Sequence, residues 1–81
     1  MDKLKQIEAF TTAVDQGSFA AAALALQVTP VMVGRRIDML EKRLGVRLLH
    51  RSTRRLALTE EGSVYLEHCK RLLNELDHAE S

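Results

Sequence analysis

The sequence is poor in the residues that staple, break or stiffen a chain: one cysteine, one proline and four glycines in 81 residues. A single cysteine excludes an internal disulfide framework and fits a reducing compartment. No apolar run approaches the about 20 residues that cross a bilayer. No charged n-region, apolar h-region and cleavage site opens the chain, so a cytoplasmic protein with no membrane partner is expected. Catalytic signatures are missing too. There is no glycine-rich phosphate loop and no nucleophile–base–orienter set, and a domain this small leaves little room for a pocket. The three histidines, His50, His68 and His78, lack metal-ligand spacing, with only Cys69 beside one of them. Neither an enzyme nor a metal or other cofactor is expected.

The net charge of +1 also looks uninformative until it is divided along the chain. Residues 1–28 carry −1. Residues 29–55 carry eight Arg or Lys against Asp38 and Glu41, a net +6, and residues 56–81 carry −4. A basic middle between neutral and acidic ends is the footprint of a nucleic-acid surface; a solvated charged face is the plainer alternative.

That basic middle opens with the stretch that organises the chain, Thr29–Leu44. Val33, Ile37, Leu40 and Leu44 are spaced four, three and four apart, which places them on one helical stripe. Val31, Arg35, Asp38 and Lys42 then point the opposite way, with Met32 on the flank. Thr29 suits the N-cap and Pro30 the first helical position, where no amide partner is needed. Val28 can staple onto Val33, and Gly45 suits a left-handed stop.

Upstream, Asp2 caps a first helix with Leu4, Ile7, Phe10 and Val14 on one face, ended by Gly17. Ser18 caps a second helix, FAAAALAL, whose inner face is Phe19, Ala22, Ala23 and Leu26. Two helices joined by Gln27–Val28, the second basic and capped, make a helix-turn-helix, although the pattern also fits helical hairpins that never meet DNA. Downstream, Val46, Leu48 and the Leu56/Leu58 alternation suggest two short strands around the basic turn Ser52–Thr53–Arg54–Arg55. Such a hairpin is the natural wing of a winged helix-turn-helix. Its tip arginines suit phosphate or a narrow minor groove, against the alternative of a solvated turn.

Thr59 caps the last helix, with Glu60 and Glu61 placed well against its dipole, while Gly62 weakens the first turn slightly. From Tyr65 the pattern runs Tyr65, Cys69, Leu72, Leu76, broadened by Val64, Leu66 and Leu73. Part of this helix can cover the domain's own core and the rest extends past it, so a partner chain is expected over the seam Tyr65, Cys69, Leu72, Leu73 and Leu76, in which Cys69 reads as a small buried hydrophobe. A frayed tail is the competing reading for residues 77–81. The expected class is mainly α: a winged helix-turn-helix over residues 1–58 and a linker and dimerisation helix over residues 59–81.

LKQIEAFTTAVDQGSFAAAALAL and VTPVMVGRRIDMLEKRLGVRLLHRSTRRLALTEEG resemble the N-terminal DNA-binding domain of the LysR-type transcriptional regulators. RLLHRSTRRLALTEEG is much more specific than a bare helix-turn-helix. The resemblance covers nearly the whole chain. It implies a bacterial regulator that binds promoter DNA as a dimer or a dimer of dimers, pairing through the linker helix. It also implies a much larger C-terminal domain that senses a small-molecule effector, which this chain does not contain. Two positions depart from the pattern: Met32, usually small in the family, and Gly34, usually Ser.

In this reading residues 30–44 enter the major groove. Arg35 is the base reader, because its planar fork matches guanine O6 and N7. Thr29 and Pro30 sit at the entering end, and Val31 and Met32 offer apolar contact to thymine methyls. The alternative for Met32 is a core gap-filler. Gly34 allows either a close backbone approach or simple tolerance at a cost of about 1 kcal/mol. Arg36, Arg51, Thr53, Arg54 and Arg55 are placed on phosphates or the minor groove, and Ser18 either on a phosphate or on its own helix cap. The competing class is a protein-interaction and dimerisation module, which leaves the +6 segment unexplained.

Overall fold

The computed structural model describes residues 2–51 and 56–80. Among them are α1 (Lys3–Gln16), α2 (Phe19–Leu26), α3 (Pro30–Leu44), β1 (Leu49–Arg51), β2 (Leu56–Leu58) and α4 (Glu60–Glu80). This is the mainly helical winged architecture that the periodicities predict. The two strands pair antiparallel, with Leu49 opposite Leu58, His50 opposite Ala57 and Arg51 opposite Leu56.

Each helix starts where a short polar side chain takes up a free amide. The Asp2 carboxylate accepts from the Leu4 amide at 3.0 Å, Ser18 Oγ from Ala21 at 3.1 Å and Thr29 Oγ1 from Met32 at 3.2 Å. Gly45 ends α3 in the left-handed region at φ 75°. The stop of α2 is different. Gln27 holds φ 59°, a conformation that costs a non-glycine residue roughly 1–2 kcal/mol. Its amide and that of Val28 close on the carbonyls of Leu24 and Ala23, leaving only three residues between α2 and α3.

Burial follows the predicted stripes. Phe10, Val33, Ile37, Leu40, Leu48, Leu49 and Cys69 form the centre of the core, and Ala9, Ala13, Ala22 and Ala23 let the first three helices approach closely. Phe10 meets Tyr65 with ring centroids 5.9 Å apart, which carries the core across to α4.

The wing differs from its prediction at its foot. Val46 and Leu48 precede β1 rather than forming it, and Leu48 and Leu49 are both buried, so strict alternation fails there. The cause is Glu41, a buried carboxylate on α3. Its Oε2 accepts from the consecutive amides of Leu48 at 2.7 Å and Leu49 at 3.2 Å, turning the chain inward before the strand begins. Charge-assisted bonds of this kind are about twice as strong as neutral ones.

A second junction fixes α4. Thr59 Oγ1 donates to the Arg47 carbonyl at 2.6 Å and accepts from the Gly62 amide at 2.9 Å, and the Thr59 amide donates to the Leu48 carbonyl at 3.0 Å. Gly62 is not merely a weak spot in the first turn. A Cβ there would lie 2.9 Å from the Leu48 carbonyl carbon and closer still to its oxygen, so only glycine lets α4 lie this near the foot of the wing.

Candidate nucleic-acid interface

The exposed face of α3 begins at its N-terminus. Thr29 spends its hydroxyl oxygen on the Met32 amide, and Pro30 occupies the first position. Val31 is 70% exposed and Met32 41%, so both stand in solvent on the helix half that sequence reasoning assigned to the groove. Met32 is therefore not filling a gap in the core. Arg35, one turn after Val31, is exposed and projects away from the buried stripe of Val33, Ile37 and Leu40. Apolar tips beside an exposed guanidinium can meet thymine methyls and a guanine edge.

Not every predicted contact residue joins that face. Ser18 is committed to capping α2. Gly34 is half-buried and turned toward α2: a Cβ there would lie 3.3 Å from Phe19 Cε2. Its small size thus makes room for an aromatic ring of the preceding helix. Arg36 is half-buried, and its Nε is shielded from solvent without a hydrogen-bond partner among the described residues. Arg36, expected on phosphate or the minor groove, is thus partly drawn back from the surface.

Arg51 is the largest departure. Its Nη2 donates to Glu41 Oε1 at 3.0 Å, its Nη1 pairs with the Asp38 carboxylate, and its Cζ lies 5.4 Å from the centroid of the Phe19 ring. Two carboxylates and an aromatic face hold this arginine, so it is a tie between α2, α3 and β1 rather than a free phosphate contact. Thr53, Arg54 and Arg55, the predicted tip of the wing, lie outside the described residues.

Two residues escaped the sequence reading. Glu41 looked like one more solvated charge, yet it is 8% exposed. Its signal was its place directly after Leu40 and four residues after Ile37, at the margin of the apolar stripe. Arg47 is the other. Its side chain is 65% exposed and only 3.8 Å from Glu41, and with Arg35 and Lys42 it lines a shallow groove along α3. By contrast Arg43 turns to the opposite side, where its Nε donates to Gln6 Oε1 at 3.1 Å and ties α3 to α1.

The predicted seam of α4 divides in two. Leu72 and Leu76 are 51% and 36% exposed, and Val64, two turns before Leu72, is 59% exposed. Tyr65 and Leu73 are partly buried against the protomer's own core, and Cys69, at 1% exposure, lies within it. Cys69 therefore has no surface to offer a second chain, because the helix turns it into the core rather than outward. Burial pushes the Cys69 thiol above its ordinary range. It does the same to the Tyr65 phenol, helped by the charge of Cys69 when ionised. Among the described residues no helix is long and apolar enough to cross a membrane, and no three His, Cys, Asp or Glu side chains gather into a metal-binding group.

Comparison with known proteins agrees with this geometry. Residues 4–63 match the lysR family of bacterial regulatory helix-turn-helix proteins. An HTH-type transcriptional regulator of Xanthomonas campestris is 56% identical over 72 residues, covering 89% of this chain and 21% of the relative. An HTH-type transcriptional repressor of Pseudomonas aeruginosa is 48% identical over all 81 residues, which are 26% of its length. Among solved structures, the BenM DNA-binding domain in complex with benA site 1 DNA superposes with a TM-score of 0.91 at 32% identity, covering 98% of this chain and 88% of that one. The CbnR DNA-binding domain–DNA complex gives 0.90 at 35% identity, covering 98% and 90%. The chain thus spans about a quarter of the curated relatives it matches and nearly all of an isolated DNA-binding domain. On the match over residues 4–63 and these identities, the chain belongs to the LysR family of bacterial regulatory helix-turn-helix proteins.

Proposed function

We propose that this chain binds double-stranded promoter DNA sequence-specifically, as a homodimer paired through α4, and that it serves the control of transcription without catalysing a reaction. The observation that carries the reading is the exposed N-terminal half of α3, where Val31, Met32 and Arg35 stand together on the side away from the core. A helix of this kind enters the major groove with its first turns against base edges. Arg35 reads a guanine, Val31 and Met32 touch thymine methyls, and Arg47 and Lys42 meet the phosphates alongside. Thr53, Arg54 and Arg55 complete the contact from the wing. The BenM and CbnR relatives were solved as DNA complexes, which supports the assignment.

Pairing through Val64, Leu72 and Leu76 places two recognition helices on one duplex, and a longer regulator can assemble further into a tetramer. A small-molecule effector acts through a domain that lies outside these 81 residues. A cytoplasmic, nucleoid-associated location follows from the same reading.

The test is fluorescence anisotropy with a duplex that the chain itself selects from a random pool, against a scrambled duplex, across a salt series. Preference for the selected duplex that persists as salt rises is the expected result. Arg35→Ala is expected to lose about 1–3 kcal/mol of discrimination at one or two base pairs. Equal binding of both duplexes that collapses with salt leaves only a basic surface. Absence of binding at low salt points instead to a protein-interaction module.

A further inference from the structure

The face that α3 offers to DNA carries an acid. Asp38 lies one turn after Arg35, and its side chain is 59% exposed. A carboxylate there repels phosphate, so its presence needs a physical reason. The structure pairs it with Arg51, the arginine that ends β1 on the side away from the foot of the wing. Glu41 takes the other nitrogen of the same guanidinium, and Phe19 lies beneath it.

The two acids do different work. Glu41 is buried and holds two backbone amides, so the fold depends on it. Asp38 is exposed, and among the described residues its partner is Arg51 alone, with no backbone amide. The pair with Glu41 alone leaves Arg51 one free edge, since a guanidinium carries five donors in a rigid fork. That edge faces Asp38 at the junction of the wing with the groove-facing side of α3.

We infer that Asp38 limits sequence-independent affinity for DNA: it occupies the outer edge of Arg51 and keeps that guanidinium off the phosphate backbone. Phosphate contacts add affinity for every sequence alike, whereas base contacts distinguish sequences. An arginine withheld from phosphate therefore lowers binding to all DNA by the same factor, weakens its salt dependence and leaves discrimination to the reader at Arg35. The inference rests on the DNA-binding reading above.

Asp38→Asn tests it, because the amide keeps the shape and removes the charge. The probes are the selected and the scrambled duplex, in the same salt series. Asp38→Asn is expected to bind the scrambled duplex several-fold tighter at low salt and to steepen the slope of log K against log salt by about 0.9, the value of one phosphate contact on duplex DNA. The selected duplex gains by the same factor, so the ratio of selected to scrambled affinity stays as in the wild type. Placing Asp38→Asn in an Arg51→Gln background is expected to abolish the gain. Should Arg51→Gln lose its cooperative thermal transition, Asp38→Glu supplies the control: it keeps the charge and must keep the wild-type slope.

An unchanged slope in Asp38→Asn, with wild-type binding intact, overturns this inference alone. So does an equal gain with and without Arg51, which would mean that Asp38 acts only by its own repulsion. A steeper slope in Asp38→Glu overturns it as well. Absence of wild-type binding at low salt overturns the DNA-binding reading together with it.

Discussion

Gly62 and Cys69 each oppose what local rules suggest. By helix propensity, replacing a glycine inside α4 with alanine should gain about 1 kcal/mol. The neighbouring backbone reverses the sign. The new Cβ would meet the Leu48 carbonyl, and Leu48 cannot retreat, because Glu41 holds its amide and the Thr59 amide holds its carbonyl. Gly62→Ala is expected to destabilise the chain by roughly 2–4 kcal/mol, seen as a lower urea midpoint. Cys69 carries a thiol whose folded pKa lies above its unfolded one, as does the phenol of Tyr65. Both groups are neutral when protonated, and the unfolded chain gives up these protons first. Their contribution to stability is therefore complete below the unfolded thiol value of about 8.5 and is lost as pH rises through the folded value. Unfolding titrations across alkaline pH should show stability declining above that point, and Cys69→Ala should remove the first part of the decline.

At the scale of elements, the junctions matter more than the elements themselves. The α2–α3 contact is set by Phe19 against Gly34, where an added methyl would be tight at 3.3 Å. Phe19 is only half-buried, so its ring can tilt, and the gain in helix propensity of about 1 kcal/mol should prevail. Gly34→Ala is thus expected to raise the thermal midpoint by several degrees, about 4–8 °C per kcal/mol for a domain this small. It should leave DNA affinity unchanged, because the position faces α2. The helices, their caps and the buried stripe of Val33, Ile37 and Leu40 were legible in the sequence, since periodicity and capping are local signals. The foot of the wing was not. Leu48 and Leu49 are buried side by side because of a carboxylate seven residues earlier, which no alternation pattern can register. Arg51 was unreadable for a related reason: an arginine's charge is evident in sequence, but whether other side chains already hold it is not. Gln27 lacked the glycine that marks a left-handed stop, so its conformation left no signature.

For the whole molecule, the proposed pairing of two chains makes a prediction about one face of α4. The exposed part of α4 lies along Val64, Leu72 and Leu76, while Cys69 faces inward. Leu72→Glu is expected to shift sedimentation toward monomer with the circular dichroism of the fold retained, since half of that side chain is already in water. An unchanged sedimentation profile would exclude this face as the contact.

The junction at Thr59 also limits how such a pair can move. Three hydrogen bonds and a missing Cβ weld the start of α4 to the foot of the wing, so this helix cannot swing independently of the winged domain. Under the proposed pairing, two chains behave as a caliper with fixed jaws. At 21 residues α4 is about 31 Å long, close to the roughly 34 Å between successive major grooves on one side of a duplex. The angle at which two such helices cross sets the gap between the jaws. A target whose half-sites stand too near or too far apart must be bent or twisted to fit, and the stiffness of the intervening, untouched base pairs becomes part of what the protein recognises.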